Sequence, residues 1–165
     1  MRVLPIVLVI ASACGRSSPP VAPVSPTPES LGPQEVIMLY RSPCYAGCPV
    51  YSVRVTRGGL VTYEGRQRVS RLGVATVRIS PRRVDALLEE LNAAGFSDFA
   101  DRYRPSEPAC GGYVPDAPTV ITEVKLGERL KRIEHDHGCG GAPAALRVLE
   151  SRIDEAVGTG RWTGR

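Results

Sequence analysis

The order of its short hydrophobic patterns is the feature that most limits how this chain can fold. Apolar residues alternate with polar ones in a series of short segments, and a helical spacing replaces this alternation only twice. The predicted strands are 36–41, 50–56, 60–64, 74–79, 119–126 and 129–136, with helices after the fourth and the sixth. A parallel sheet needs a crossover between successive strands, which the order ββββα-ββα lacks. We therefore predict an α+β domain whose mainly antiparallel sheet of about six strands has two helices packed on one face.

Turn and cap residues mark where several of these elements begin and end. Gly58-Gly59 is typical of a hairpin turn between two strands. Ser80 followed by Pro81 predicts the start of the first helix, because serine caps helices and proline fits their first position. The second helix is predicted to begin near Pro143. Between the two halves, residues 101–118 are rich in proline and glycine and are predicted to form a long loop.

The chain begins with a pattern typical of an export signal over residues 1–13. Arg2 is followed by an apolar run at 3–10, which is too short to cross a bilayer. Ala11-Ser12-Ala13 supplies the small residues that a signal peptidase requires, and Cys14 comes next. This arrangement resembles the lipobox of bacterial lipoproteins, with Ala11 in place of the usual leucine. Ordinary secretion with cleavage after Ala13 is the alternative.

The lipobox resemblance implies that Cys14 is lipidated and anchors the protein to a membrane. The protein would then lie in the bacterial cell envelope and face the periplasm or the exterior. Neither Gly15 nor Arg16 is the aspartate that would favour retention in the inner membrane, so the outer membrane is favoured. Residues 14–34 are rich in proline and serine and predict an extended linker. A single globular domain is expected over residues 35–163.

A cysteine-containing stretch gives the most specific resemblance to a known family. It runs from Arg41 to Tyr51, and the segment 59–65 follows it. Further matching positions are 116–118, 142–143, 149–150, 153–154 and 161–162. Together they resemble a bacterial family catalogued as domain of unknown function 6438, across residues 35–163. The resemblance implies a small extracytoplasmic domain and supplies no activity, substrate or catalytic residue.

Four cysteines lie within the predicted domain, namely Cys44, Cys48, Cys110 and Cys139. An even number in an exported domain predicts two disulfides, for which three connectivities are possible. The positions of the cysteines in the predicted loops favour Cys44–Cys48 and Cys110–Cys139. Both bridges would then stabilise the fold rather than take part in chemistry.

The C-x-x-x-C-P spacing at Cys44 and Cys48 also suggests an alternative function. It resembles the copper-binding motif of thioredoxin-fold copper chaperones, and soft thiolates select Cu(I). His135 or His137 would complete the site, or the two thiols would serve in redox chemistry. Against this alternative, the chaperone motif opens a helix, whereas residues 50–56 are predicted to continue as a strand.

His135 and His137 have a second possible role as half of a zinc site. Alternation along a strand places both imidazoles on one face, and Cys139 is a possible third ligand. The competing interpretation is that His135 lies in the core, where hydrogen bonds satisfy it, and that His137 is exposed in the loop. We favour this second interpretation, and therefore expect no metal or cofactor, because no carboxylate or further histidine is suitably spaced in the sequence.

The rest of the sequence favours a non-catalytic protein. It contains none of the serine-hydrolase, zinc-protease or phosphate-loop motifs that place a nucleophile, metal or nucleotide. The net charge of +4 is too small to indicate nucleic-acid binding. A basic patch is suggested by Arg66, Arg68, Arg71, Arg78, Arg82 and Arg83. The leading hypothesis is a binding or envelope-structural module, stabilised by disulfides, whose partner is an envelope protein or a polysaccharide.

Overall fold

The structure is a computed structural model, and it describes residues 28–164. The predicted signal peptide, Cys14 and residues 14–27 of the predicted linker lie outside the described residues. Across the described residues, no helix is long and apolar enough to cross a bilayer.

The described residues form a seven-stranded sheet with the strand order β4-β3-β2-β1-β6-β7-β5. The strands are β1 Glu35–Arg41, β2 Val50–Thr56, β3 Leu60–Gln67, β4 Gly73–Arg78, β5 Arg102–Tyr103, β6 Thr119–Leu126 and β7 Arg129–Asp136. Every neighbouring pair is antiparallel except β5 and β7, which are parallel. The predicted α+β class with a mainly antiparallel sheet is confirmed. The additional strand is β5, which lies in the predicted loop and is too short to show a hydrophobic period.

Two main helices and one short helix complete the fold: α1 Pro81–Ala93, α2 Ala144–Val157 and α3 Gly160–Thr163. The backbone N–H of Arg83 donates to the Ser80 hydroxyl at 3.3 Å, as expected for the predicted cap. Helix α2 ends at Gly158, whose left-handed backbone suits glycine. In α3, Trp162 stacks on Tyr63 with ring centroids 4.7 Å apart.

Both main helices pack on the same face of the sheet, as predicted. Their buried residues belong to one core cluster that includes Leu39, Val53 and Ile133 from the central strands. The helices contribute Val84, Leu87, Leu88, Leu91, Leu146, Leu149, Ile153 and Val157. Most of the free energy that holds the helices on the sheet comes from burial of these apolar side chains.

The opposite face of the sheet, called here the open face, has a smaller apolar cluster built around Met38 and Ile121. Part of the segment that the sequence assigned to the linker lies against it. The backbone N–H of Leu31 donates to Glu123 at 3.0 Å, and Arg132 donates both to Glu123 at 2.7 Å and to the Pro28 carbonyl at 3.3 Å. The fully buried Glu123 carboxylate therefore holds residues 28–31 to the sheet.

Two disulfides close loops at the edge of this core. Cys44 and Cys48, with Cα atoms 5.3 Å apart, close the loop between β1 and β2. Cys110 and Cys139, with Cα atoms 4.6 Å apart, join the loop before β6 to the loop after β7. The prediction of disulfide bonds is confirmed, with the connectivity that the loop positions favoured.

The two disulfides should differ in their contribution to stability, because one spans 29 residues of sequence and the other spans four. Loop-closure entropy gives about 3.6 kcal/mol for the longer loop and about 2 kcal/mol for the shorter one. We expect the pair of substitutions Cys110→Ser and Cys139→Ser to lower the free energy of unfolding more than Cys44→Ser and Cys48→Ser. Urea unfolding of the full chain without reductant measures both losses. Equal losses, or free thiols at these four positions in the denatured wild-type chain, would contradict the prediction.

Candidate binding site

One row of paired residues across the sheet contains several polar side chains of the candidate site. Arg41 in β1 pairs with Tyr51 in β2 and with Val120 in β6, and Val120 pairs with His135 in β7. Residues in register on neighbouring strands project to the same face, and this face is the one that the helices cover. Polar groups therefore replace apolar ones at this end of the core, directly beneath α2.

Helix α2 places two carboxylates over this row. Glu150 and Asp154 are four residues apart, so they lie on the same side of the helix. Asp154 accepts hydrogen bonds from Arg41 Nε at 2.8 Å and from the Tyr51 hydroxyl at 2.7 Å. Burial raises the pKa of Tyr51, and the nearby Asp154 carboxylate raises it further, so the hydroxyl remains a donor. Arg41, Tyr51 and Asp154 thus join β1, β2 and α2 through one shared carboxylate.

The second carboxylate lies between the two histidines. Glu150 Oε1 is 2.7 Å from His135 Nδ1, and Glu150 Oε2 is 2.7 Å from His137 Nε2. Burial alone would raise the pKa of Glu150, but hydrogen bonds from His135 and His137 outweigh it, and the pKa lies below its ordinary value. Glu150 and His135 are buried, whereas the His137 side chain is 13% exposed. Among the described residues, His135 Nε2 has no hydrogen-bond partner.

The histidine cluster in the structure differs from the possible zinc site that the sequence suggested, which consisted of His135, His137 and Cys139. The structure brings His135 and His137 together on one face and places His135 in the core, but the third group is Glu150. Cys139 is bonded to Cys110. Spacing from the histidines gave no sign of this carboxylate, because it comes from a different element. The sequence could have indicated Glu150 in another way: this acidic residue lies within the apolar stripe of α2, four residues after Leu146.

The first disulfide uses the two cysteines on which the Cu(I) alternative depends. Cys44 and Cys48 are bonded to each other, so neither sulfur is a thiolate in this structure. His135 and His137 both contact Glu150. Copper binding at the cysteine pair therefore requires reduction of this bridge first, and both copper binding and redox chemistry there stay predictions.

A cleft of about 540 Å³ lies beside this polar cluster, and we call it the α2 cleft. It is lined by Arg41, Ser42, Cys48, Pro49, Tyr51, Pro118, His137, Arg147, Ser151, Asp154, Glu155, Thr159, Gly160 and Thr163. Its volume falls within the range of small-ligand sites, which run from about 300 to 1,000 Å³. Another cleft, of about 640 Å³, is lined largely by the turns at the other ends of the strands. The buried polar cluster lies at the α2 cleft, and we therefore take that cleft as the candidate site.

The disulfide loop that forms one wall of the α2 cleft has a fixed conformation. Gly47 has a φ of +83°, a left-handed backbone conformation that favours glycine at this position. The backbone N–H of Tyr45 donates to the Asp116 carbonyl at 3.2 Å. Although its backbone is held, the Tyr45 residue is 89% exposed. A large aromatic ring is thus presented to solvent on a braced loop.

The six arginines suggested as a basic patch do not share one surface. Arg66 lies over the Tyr40 ring on the open face, 5.6 Å from its centroid. Arg83 instead donates to the Glu155 carbonyl at 3.3 Å, on the helix side of the sheet. The patch is therefore divided between the two faces.

The comparisons with known proteins agree with this description. A family model described as Domain of unknown function (DUF6438) matches residues 35–157. The chain belongs to this family. The match begins at the first residue of β1 and ends at the last residue of α2, so it includes both disulfides, both histidines and both carboxylates. A search of curated proteins found no match. Membership in the DUF6438 family confirms the resemblance seen in the sequence and assigns no activity.

The Tyr51 hydroxyl should stabilise the fold more than the hydroxyl of Tyr63, a residue that is also buried. Tyr51 donates to a carboxylate at 2.7 Å, whereas Tyr63 donates to the neutral Arg71 carbonyl at 3.3 Å. Hydrogen bonds to charged groups contribute about 1.5–3 kcal/mol and neutral ones about 0.5–1.5 kcal/mol. We expect Tyr51→Phe to lower the free energy of unfolding more than its matched control, Tyr63→Phe, in urea denaturation. An equal or reversed order would show that Asp154 does not depend on the hydroxyl.

Proposed function

We propose that this protein is a non-catalytic, lipid-anchored module of the bacterial cell envelope that binds a polysaccharide in the α2 cleft. The observation that supports this proposal most directly is the cleft itself, in which charged and hydroxyl groups converge from β1, β2, α2 and α3. Such concave sites with a few well-placed polar groups are typical of ligand binding.

The walls of the α2 cleft are held before any ligand arrives. The Cys44–Cys48 bridge braces one wall, and the Arg41–Asp154 ion pair, at 2.7 Å, joins α2 to β1 at the base. A site whose walls are already ordered loses little conformational entropy on binding. The fixed walls of the α2 cleft therefore support ligand binding more than a purely structural role in the envelope.

The lining of the α2 cleft favours a sugar ligand that bears an acidic group. Ser42, Ser151 and Thr163 offer hydroxyls. Arg147 donates to the His137 carbonyl at 2.9 Å and pairs with no carboxylate among the described residues, so its charge is available to an anion. Tyr45 does not line the cleft, but it lies in the loop that contributes Cys48 to the lining and offers an exposed ring against which the apolar face of a sugar can pack. A protein partner would instead be expected to meet a broad surface with an apolar centre.

The contacts of residues 28–31 fit a tethered arrangement. They lie on the open face of the sheet, whereas the α2 cleft lies on the helix side. At these residues the chain leading from Cys14 therefore does not pass over the cleft. The proposed anchor is the lipid on Cys14, and the proposed location is the outer membrane, with the domain facing the periplasm or the exterior.

Charge reversal at the cleft tests binding directly. The full chain in detergent is mixed with purified peptidoglycan sacculi, and the fraction that sediments with this glycan is measured. We expect Arg147→Glu to reduce binding by about tenfold or more, since a charge-assisted hydrogen bond of about 1.5–3 kcal/mol is replaced by repulsion. Arg129→Glu makes the same change in net charge on an exposed residue at the far end of β7 and should bind as wild type does.

Two outcomes would contradict polysaccharide binding. Wild-type protein that stays in the supernatant would exclude this glycan and redirect the search to an envelope protein. Equal loss in Arg147→Glu and Arg129→Glu would show that binding depends on overall charge and not on the cleft.

Lipidation at Cys14 is tested separately in living cells. A bacterium expressing the full chain is grown with an alkyne-tagged fatty acid, and the label on the purified protein is measured. We expect wild type to be labelled and to fractionate with membranes, and Cys14→Ala to lose both properties because the acceptor sulfur is absent. The double variant Cys44→Ala and Cys48→Ala serves as the control and should keep the label. Unlabelled wild type, or release of a mature chain beginning at Cys14 without lipid, would instead support ordinary secretion.

A further inference from the structure

We propose that His135, His137 and Glu150 bind one zinc ion at the inner wall of the α2 cleft. One ligand atom from each of these side chains lies within 4.8 Å of the others. This inference is independent of polysaccharide binding, because it concerns the buried cluster and not the outer lining of the cleft.

The ligands are held by two secondary-structure elements. His135 lies in β7, and the backbone N–H of His137 donates to the Pro118 carbonyl at 2.9 Å, which continues the strand pairing. Alternation along the strand turns both imidazoles to the helix side, where α2 supplies Glu150. Sites built on strands and helices keep their ligands in place better than sites built on loops.

The distances are close to those of a metal site. Each carboxylate oxygen of Glu150 is 2.7 Å from one ring nitrogen. Zinc binds nitrogen and oxygen at about 2.0–2.2 Å, which places tetrahedral ligands about 3.3 Å apart. Because the ligand atoms lie within 4.8 Å of one another, changes of about 1.5 Å or less in their separations would admit the ion.

The charges around the buried carboxylates single out Glu150. Glu123 pairs with Arg132 at 2.7 Å, and Asp154 pairs with Arg41 at 2.7 Å. Among the described residues Glu150 contacts no lysine or arginine within salt-bridge distance, and its charged-group partners are the two imidazoles. Arg41 acts on Glu150 only at longer range, since its own ion pair is with Asp154, so a divalent ion would add a positive charge in direct contact with Glu150.

The donor set favours a transition-metal ion, and zinc is the one proposed. Two imidazoles and one carboxylate match zinc, and Fe(II) uses the same set, whereas calcium and magnesium prefer oxygen ligands and Cu(I) prefers thiolates. His137 is the ligand that lines the α2 cleft, so the ion would enter from that side. Three protein ligands leave a fourth position for water or for a group of the bound ligand.

Zinc titration of the full, untagged chain tests the site. The protein is purified in detergent without reductant and stripped with a chelator. It is then titrated with zinc chloride in competition with a chromophoric chelator. We expect one zinc per wild-type chain, and binding weakened by about 100-fold or more in Glu150→Gln. Glu123→Gln is the matched control, because this carboxylate is also fully buried and paired, with Arg132, but lies on the open face, and it should keep wild-type affinity.

A second variant and a spectroscopic measurement make the result independent of folding. His137→Gln alters the partly exposed ligand and should lose zinc while circular dichroism shows a folded chain. Zinc K-edge absorption of the loaded wild type should show imidazole nitrogen and oxygen neighbours without sulfur. The proposal is overturned by a folded wild-type chain that takes up no zinc. Wild-type affinity in both ligand variants, or sulfur in the coordination shell, would overturn it equally.

Discussion

Helix α2 contributes residues to both the core and the candidate site, and two of its carboxylates fix its position on the sheet. Its apolar residues would pack over the sheet in several closely related positions, because hydrophobic burial is not directional. Asp154 and Glu150 remove that freedom, since each must meet a specific partner, Arg41 and Tyr51 for the first and the two histidines for the second. The register between α2 and the sheet then fixes the shape of the cleft beside it.

The disulfides act where the fold has little regular structure. The segment between β5 and β6 contains one short turn of helix at 108–110, and Cys110 at its end is bonded to Cys139 just beyond β7. This bridge holds the loop against the end of the strand that supplies His135 and His137. The Cys44–Cys48 bridge likewise restrains the loop that contains Tyr45. At both ends of the candidate site, a covalent restraint thus adds to a few backbone hydrogen bonds, such as Tyr45 to Asp116 and Gly140 to Gly112.

Local patterns predicted most of the fold and little of the site. The bounds predicted for β2, β6 and β7 agree with the structure, because each strand has one buried face and a clear turn beside it. Strand β5 was missed, since two residues cannot show a period. Glu150 was missed for a different reason: its role depends on how α2 is placed over β7, which is a tertiary contact that spacing does not encode. The same reason explains why the arginine patch, inferred from neighbours in sequence, is divided between two faces.

The concentration of polar groups at one end of the core supports the proposal that this end binds a ligand. Well-packed apolar side chains in place of a buried ion pair usually leave stability unchanged or improve it. At the centre of the sheet this chain uses Leu39, Val53 and Ile133. At the row that begins with Tyr51 and Arg41, it uses charged and hydrogen-bonding groups instead, and a solvent-accessible cleft lies directly beside them. Desolvating those groups is costly, and the proposed binding at the cleft would account for that cost.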